Sequence, residues 1–209
     1  MNRRRMMLQQ ASGYAITYNA DSGIYPDDNG EWEFIGGTFY PNNADNYRRL
    51  ENGLLICGVK HLYSLQQYIP KGHTMAKRSE ITVTVKSWVH NNTWGTGYNG
   101  NIIGIRLADE NTVLNIKLDK LGIGARSVNG ADVTASSQQL NNIGKYPCEL
   151  PQEFTVRVVK YEDFGEVYLD DELILTALTL NDNASAVTNW VSVGGIMTTA
   201  ISSMTYKEW

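Results

Sequence analysis

Aromatic and asparagine side chains around residues 88–99 are the part of the chain best suited to binding a ligand. The loop HNNTWGTGYN places a tryptophan and a tyrosine among three asparagines. Aromatic rings stack on the C–H faces of sugars, and amides bond sugar hydroxyls. These types predict a carbohydrate-binding surface, whose candidate residues are Trp88, Asn91, Asn92, Trp94, Tyr98, Asn99 and Tyr168.

The orientation of two of these aromatic residues follows from strand alternation. If the alternation of EITVTVKSWV continues without a bulge, Trp88 shares the polar face of its strand with Thr84 and Lys86. Tyr168 lies on the outward face of its own strand by the same argument. The alternative is structural: Trp88 packs beneath a loop, and the loop aromatics fold back over the end of the sheets.

The acidic residues do not form a recognisable catalytic pair. Retaining glycoside hydrolysis needs two carboxylates about 5–5.5 Å apart. The nearest candidates are Glu166, Asp170 and Glu172, but residues 170 to 172 lie in a predicted hairpin turn. Glu31 and Glu33 share a strand face without a third acid. A solvated acidic turn is the favoured interpretation, and we do not expect an enzyme.

Histidine and cysteine spacing favours neither zinc nor redox chemistry. His61, His73 and His90 lack the HExxH pattern. Cys57 and Cys148 belong to no CxxC pair, and two free thiols are favoured over a disulfide.

The segment Gly95 to Gly100 matches the GxGxxG pattern of dinucleotide sites. Such a site needs a helix to begin there, so that backbone N–H groups face the phosphates. A β-like run follows instead, from residue 101. The segment is therefore interpreted as a flexible loop.

Alternating apolar and polar residues predict many β-strands and little helix. Segments 80–89, 101–107, 112–118 and 154–158 each place apolar side chains on one face. Turn-forming Asn, Asp and Gly residues separate these segments. Only Tyr47 to Leu55 and Ala131 to Ile143 have room for a helical turn or two. The pattern predicts antiparallel sheets with one face in a core.

Four motifs between Glu80 and Trp209 resemble the concanavalin A-like lectin/glucanase superfamily, and in particular its laminin-G-like bacterial and phage members. They are EITVTVKSWV, IIGIRLADENTVLNIKL, EFTVRVV…GEVYLDDELI and WVSVGGI…AISSMTYKEW. The resemblance implies an all-β fold, an antiparallel two-sheet β-sandwich of the jelly-roll type. Asp171 stands where family members have glycine, which predicts a longer or different hairpin turn.

The same resemblance makes a structural calcium ion at the sandwich rim possible, although no cofactor is predicted. Loop residues that could contribute are Asp109, Asn111, Asp163 and Asp182. Their spacing is not diagnostic, and ordinary turn formation is the favoured alternative.

Charge and hydropathy limit the partners and the location. A net charge of −4 gives no basic face, so nucleic acid is not an expected partner. The apolar run after Arg3, Arg4 and Arg5 is too short for a signal peptide, and no segment is long enough for a membrane span. We expect a virion or cytoplasmic location, and an extracellular one only by a non-Sec route.

The predicted organisation is an N-terminal arm or first strand in residues 1–25, then a single lectin-like domain in residues 26–209. The predicted function is a non-catalytic module that binds glycan or a cell-surface polysaccharide, plausible in an adhesion component. The alternative is a structural phage virion protein (a tail, fibre or capsid-decorating subunit) whose partners are other virion proteins. A glycoside hydrolase or lyase is the third hypothesis.

Overall fold

The described part of the chain consists of β-strands and two short 3₁₀ helices. The computed structural model describes residues 13–35, 48–58, 66–73, 76–90, 101–119, 122–125, 150–181, 189–194 and 197–209. The 3₁₀ helices are Ala20–Ser22 and Pro26–Asn29. The strands are β1 Tyr14–Asn19, β2 Trp32–Phe34, β3 Arg48–Glu51, β4 Leu54–Cys57, β5 Gln66–Pro70, β6 Ser79–His90, β7 Asn101–Ala108, β8 Thr112–Asp119, β9 Gly122–Ala125, β10 Phe154–Lys160, β11 Phe164–Leu169, β12 Glu172–Leu178, β13 Leu180–Asn181, β14 Trp190–Val193 and β15 Met197–Glu208. Within these ranges, no helix has the length and apolarity to span a membrane.

The strands form two sheets, and all of their described pairings are antiparallel. The first sheet has the order β12-β11-β10-β6-β15-β4-β3, and β1 also pairs with β15. The second sheet has the order β13-β8-β7-β14-β5-β2, and β9 pairs with β8. The fold is an all-β, two-sheet antiparallel sandwich, which confirms the predicted fold class.

The core lies between the two sheets and follows the alternation of the sequence. Ile81, Val83 and Val85 of β6 are fully buried, and their counterparts on β7, β8 and β10 are buried with them. Thr82 and Thr84 of β6 lie on the opposite, partly exposed face. Burial of one apolar side of each strand is what brings the sheets together, because it removes that surface from water.

The helical prediction for residues 47–55 is wrong in the part that the structure describes. Residues 48–57 form the β3–β4 hairpin, whose turn residues Asn52 and Gly53 both have positive φ. An Asn-Gly pair suits a type I′ turn, and this turn chemistry outweighs the weak helical spacing. The second helical candidate, residues 131–143, lies outside the described residues.

The turn between β11 and β12 also corrects an expectation. It has two residues, Asp170 and Asp171, and both have positive φ, at 48° and 66°. This is the short turn that the glycine of the family would form, so the aspartate does not produce a longer turn. Asp170 is held in place because its Oδ1 accepts the backbone N–H of Thr155 at 2.8 Å and its own N–H donates to the Thr155 carbonyl at 2.9 Å.

Candidate functional site

An open cleft of about 720 Å³ lies at one end of the sandwich, which we call the rim cleft. Its walls come from the turn after β5 (72–73), the approach to β6 (76–77), the β7–β8 turn (109–112), the β10–β11 turn (162–163) and Glu208 near the end of β15. Antiparallel pairing brings these distant segments together, because the start of β6 lies beside the ends of β10 and β15. The cleft therefore draws on both sheets.

The β7–β8 turn is organised by the side chain of Asp109. Its Oδ1 accepts the backbone N–H groups of Asn111 and Thr112, each at 2.8 Å. Its Oδ2 accepts the Thr112 hydroxyl at 2.8 Å. Aspartate is suited to this role because its short side chain reaches the backbone two and three residues ahead. The turn is thereby fixed as one wall of the cleft.

Behind this wall lies a fully buried lysine, Lys160, at the end of β10. Its Nζ donates to Asp109 Oδ2 at 2.5 Å and to the Tyr161 carbonyl at 3.2 Å, and the Lys77 carbonyl lies at 3.5 Å. Burial alone raises the pKa of Asp109, but the hydrogen bonds from Lys160, Asn111 and Thr112 outweigh it and lower this pKa to about 2. Asp109 is therefore ionised at neutral pH, and it pairs with the buried side chain of Lys160.

On the opposite side of the cleft, Glu208 is held between two donors. His73 Nδ1 lies 2.6 Å from Glu208 Oε1, and the Tyr206 hydroxyl donates to Glu208 Oε2 at 2.9 Å. The His73 ring is stacked on Tyr14 with the ring centroids 3.6 Å apart. These contacts fix a carboxylate and an aromatic pair at the edge of the cleft.

The remaining acidic side chains of the cleft point to solvent. Glu110 and Asp163 are exposed, and neither carboxylate is bonded to another described residue. Glu162 is also exposed and lies 3.9 Å from Lys77 Nζ, a distance and exposure at which an ion pair contributes little. Together with Asn111, these groups offer several hydrogen-bond acceptors to a hydroxyl-rich or cationic ligand.

Trp88, the first predicted ligand residue, lies towards the opposite end of β6 and is oriented differently from the expectation. The β6–β15 pairing is irregular at Lys86, since Ala200 pairs with Ser87 and Ile201 with Val85. This extra residue reverses the alternation. Trp88 is half-buried and packs against the core, and its Nε1 donates to the Pro151 carbonyl at 2.8 Å. The expectation that Trp88 shares the polar face with Thr84 and Lys86 is wrong because a bulge intervenes.

Tyr168 is partly exposed on β11, as its alternation predicts. Its hydroxyl donates to Glu166 Oε2 at 2.7 Å, and the Arg157 guanidinium carbon lies 3.7 Å from its ring centroid. Arg157 covers one face of the ring that a sugar would otherwise stack on. Glu166, considered above as a catalytic acid, serves here as an acceptor for Tyr168 and for Tyr161.

The other predicted ligand residues lie outside the described part of the chain, so their role stays a prediction. They are Asn91, Asn92, Trp94, Tyr98 and Asn99. The GxGxxG segment, His61, Cys148 and Asp182 lie outside it as well. Cys57 is buried with a free thiol, and burial raises its pKa to about 12.

Three of the proposed calcium ligands meet at the rim cleft, where the carboxylate of one of them is already bonded to other residues. Asp109, Asn111 and Asp163 all line the cleft. Both oxygens of Asp109 are used by the turn and by Lys160, which leaves that carboxylate unavailable to a metal. Among the residues that the structure describes, no three His, Cys, Asp or Glu side chains are grouped so as to hold a metal ion. The rim is built from turn contacts instead.

Sequence reasoning named Asp109, Asn111 and Asp163 as rim residues but missed the cleft itself and the roles of Lys160, His73 and Glu208, although Lys160 carries a signal. Phe154, Val156 and Val158 point into the core, and the same alternation places Lys160 on the inward face. A lysine at an inward position needs a buried partner. His73 and Glu208 are 135 residues apart, and no local pattern connects them.

The sequence itself matches no family model and no curated protein. The fold, however, is similar to solved carbohydrate-binding domains. The metal-free VIP36 exoplasmic/lumenal domain superposes with a TM-score of 0.51 at 15% identity, over 93% of this chain and 91% of that one. Its Ca²⁺/Man2-bound form gives 0.50 at 14% identity, over 93% and 87%. A mutant of the Emp46p carbohydrate recognition domain gives 0.50 at 11% identity, over 86% and 89%. At such identities the likeness concerns the fold: this chain has the concanavalin A-like β-sandwich fold.

Proposed function

We propose that this protein is a non-catalytic glycan-binding module and that the rim cleft is its binding site. The observation that carries the proposal is a cleft of about 720 Å³, lined by hydrogen-bonding side chains, at the rim of a lectin-type sandwich. A volume of this size accommodates a small ligand such as one or two sugar rings. The similarity to carbohydrate-binding domains supports the same ligand class.

The side chains of the cleft suit sugar hydroxyls. Glu110 and Asp163 accept hydrogen bonds from hydroxyl groups, and the Asn111 amide both donates and accepts. Tyr14, which stacks on His73 beside the cleft, is 37% exposed and offers apolar surface to sugar C–H groups. Glycan on a cell surface, bound as part of adhesion, is the ligand we propose.

Binding without hydrolysis is the second part of the proposal. Two of the acidic residues considered above as catalytic have structural partners: Glu166 bonds two tyrosines, and Asp170 bonds the backbone of Thr155. Incubation with mixed polysaccharides should release no reducing sugar. A role in a virion through protein contacts stays a prediction, since no contact in the described structure bears on it.

A glycan array, followed by calorimetric titration of the best ligand, tests both the function and the site. In the Glu110→Ala/Asn111→Ala double variant we expect affinity to fall about tenfold or more, because two hydrogen bonds worth about 1 kcal/mol each are lost. Both side chains are exposed, so the fold should be unaffected.

The controls are two tryptophans that the sequence predicts as ligand residues. Trp88→Phe, which keeps an aromatic ring against the core, and Trp94→Ala should leave affinity unchanged if the cleft is the site. Loss of binding in the Trp94→Ala variant, with normal binding in the cleft variant, would move the site to the aromatic loop. No binding to any glycan on the array would contradict the function itself.

A further inference from the structure

We propose that the Lys160 ammonium is a built-in cation that assembles the rim cleft, so that the cleft binds its ligand without calcium. The inference rests on the proposed function for its ligand, and on the geometry around Lys160 for its mechanism. Lys160 touches no ligand in this scheme. It is a positioning residue that holds the walls of the cleft.

The first argument is the set of atoms around the Lys160 Nζ. They are a carboxylate oxygen of Asp109 and the backbone carbonyls of Tyr161 and Lys77. Asp109 and Lys77 belong to two chain segments far from Lys160 in sequence, whereas Tyr161 directly follows Lys160, and all three segments continue into walls of the cleft. A lysine ammonium has three N–H donors, enough for these three oxygens, of which the Lys77 carbonyl at 3.5 Å is the most distant. The ammonium therefore ties together walls that are far apart in sequence.

The second argument is the burial of the charge. The Lys160 side chain is 0% exposed and that of Asp109 is 11% exposed. Removing such a pair from water costs several kcal/mol per ion, so a buried pair is weak evidence of a stabilising role by itself. The role that we infer for the Lys160–Asp109 pair is instead to connect two segments of the chain. The pair connects the β7–β8 turn of the second sheet to the end of β10 in the first sheet. It acts beside two other bonds between the walls, from the Ala76 N–H to the Ala108 carbonyl at 3.0 Å and from the Thr112 hydroxyl to the Glu162 carbonyl at 3.3 Å.

The third argument concerns the oxygens that a metal would need. Calcium takes six to eight oxygen ligands, usually including carboxylates. At this rim the Asp109 carboxylate already accepts Lys160, the Thr112 hydroxyl and two backbone N–H groups. A metal ion would have to displace a cation that is covalently part of β10. In this scheme the ammonium takes the place at the Asp109 carboxylate that a loop-organising metal ion would need.

The wild-type protein provides the first test. Ligand affinity and the unfolding temperature should be the same in EDTA as in millimolar calcium, with less than about a twofold change in Kd. A tenfold or greater loss of affinity in EDTA, restored by calcium, would overturn the proposal. This test needs no variant and so does not depend on a variant folding.

Hydrogen exchange of the wall amides provides a second test, and it needs no ligand. In Lys160→Met, which keeps the length of the side chain and removes its charge, the amides of Asp109 and Tyr161 should exchange about tenfold faster or more. Both amides are bonded within the cleft turns in the wild type. Core amides of β6 should keep their protection. The control is Lys86→Met, which removes an exposed lysine that pairs with Glu153 at the other end of β6.

Chemical rescue separates the charge from the packing. In Lys160→Ala, added ethylammonium should restore slow exchange of the Asp109 and Tyr161 amides, because it returns an ammonium to the same three oxygens. Tetramethylammonium carries the charge but no N–H donor and should not do so. Equal effects of the two ions, or unchanged wall exchange in Lys160→Met, would show that Lys160 only fills space.

The outcomes distinguish this inference from the proposed function. If no glycan binds but exchange and rescue behave as expected, the function is wrong and the built-in cation stands. If glycan binds in the cleft and Lys160→Met leaves both affinity and wall exchange unchanged, the function stands and the inference is wrong.

Discussion

At the scale of single residues, the ion pair between Lys160 and Asp109 connects the core to the rim. The ammonium and the carboxylate are within 2.5 Å of each other, and both are largely removed from solvent. A charge in this environment needs a partner, so loss of either residue leaves the other uncompensated. The same two residues also determine how the rim responds to acid.

Acid should weaken the fold between about pH 4 and pH 2, because the pKa of Asp109 falls from 3.8 to about 2 on folding. The unfolded chain binds more protons than the native chain in this window, so stability is present above pH 4 and is lost as the pH falls towards 2. A shift of nearly two units corresponds to about 2 kcal/mol. Urea unfolding measured at half-unit steps of pH should show this loss.

The comparison for this prediction is Asp109→Asn. At pH 7 it should be less stable than the wild type by about 3 kcal/mol, because it leaves the Lys160 charge unpaired. The free energy of unfolding of the variant should not show the loss between pH 4 and pH 2 that Asp109 causes in the wild type. Parallel pH curves for the two proteins across that window would contradict the assignment.

At the scale of elements, strands and turns were predicted with different success. β6 and β10 follow the alternation of their residues, because a strand with one apolar side has one stable orientation against a core. The bulge at Lys86 was not predicted. Nothing in EITVTVKSWV marks it, since it arises from pairing with β15, whose own register shifts at the same place. Trp88 consequently faces inward.

The β11–β12 turn allows a direct test of turn chemistry. Asp171→Gly should stabilise the protein by about 0.5 kcal/mol. The φ of Asp171 is 66°, and a residue with a Cβ atom is strained in this left-handed region whereas glycine is not. The gain should appear as a higher urea midpoint with an unchanged m-value.

The neighbouring residue serves as the matched control for this change. Asp170→Gly also relieves a positive φ, but it loses the hydrogen bond from the Thr155 N–H to Oδ1. The Asp170 variant should therefore gain nothing or lose stability. An equal gain at both positions would show that the Asp170 side chain contributes nothing to the turn.

At the scale of the whole molecule, one core joins both sheets. Strand β1 pairs with β15, and the central strands β6 and β15 pair along nearly their full length. Because the contacts that hold the sandwich join residues distant in sequence, its parts support one another. If residues 26–209 form a single lectin-like domain, as predicted, they should unfold together.

Urea unfolding should be one cooperative transition. The chain has five tryptophans, and their fluorescence includes Trp32, which is buried in the second sheet, whereas circular dichroism reports on all the strands. The two signals should share one midpoint within error. Separate midpoints would indicate two units of independent stability and contradict a single domain.

The sequence by itself determined the fold class. Alternating polarity is a local property, and each strand carries enough of it to select the face that it buries. The motifs after Glu80 placed these strands in a concanavalin A-like sandwich, which the structure confirms. Turn residues such as Asn52 and Gly53 likewise act through their own backbone preferences.

Only the tertiary structure decided where the chain forms a cleft. Its walls come from residues 72–73, 76–77, 109–112, 162–163 and 208, and Lys160 at the end of β10 contacts Asp109 and the Lys77 carbonyl from within the core. Asp109 and Asp163 look like ordinary turn residues in the sequence. They share a site because antiparallel pairing in the two sheets brings their turns to the same end, and that convergence depends on strand order and register.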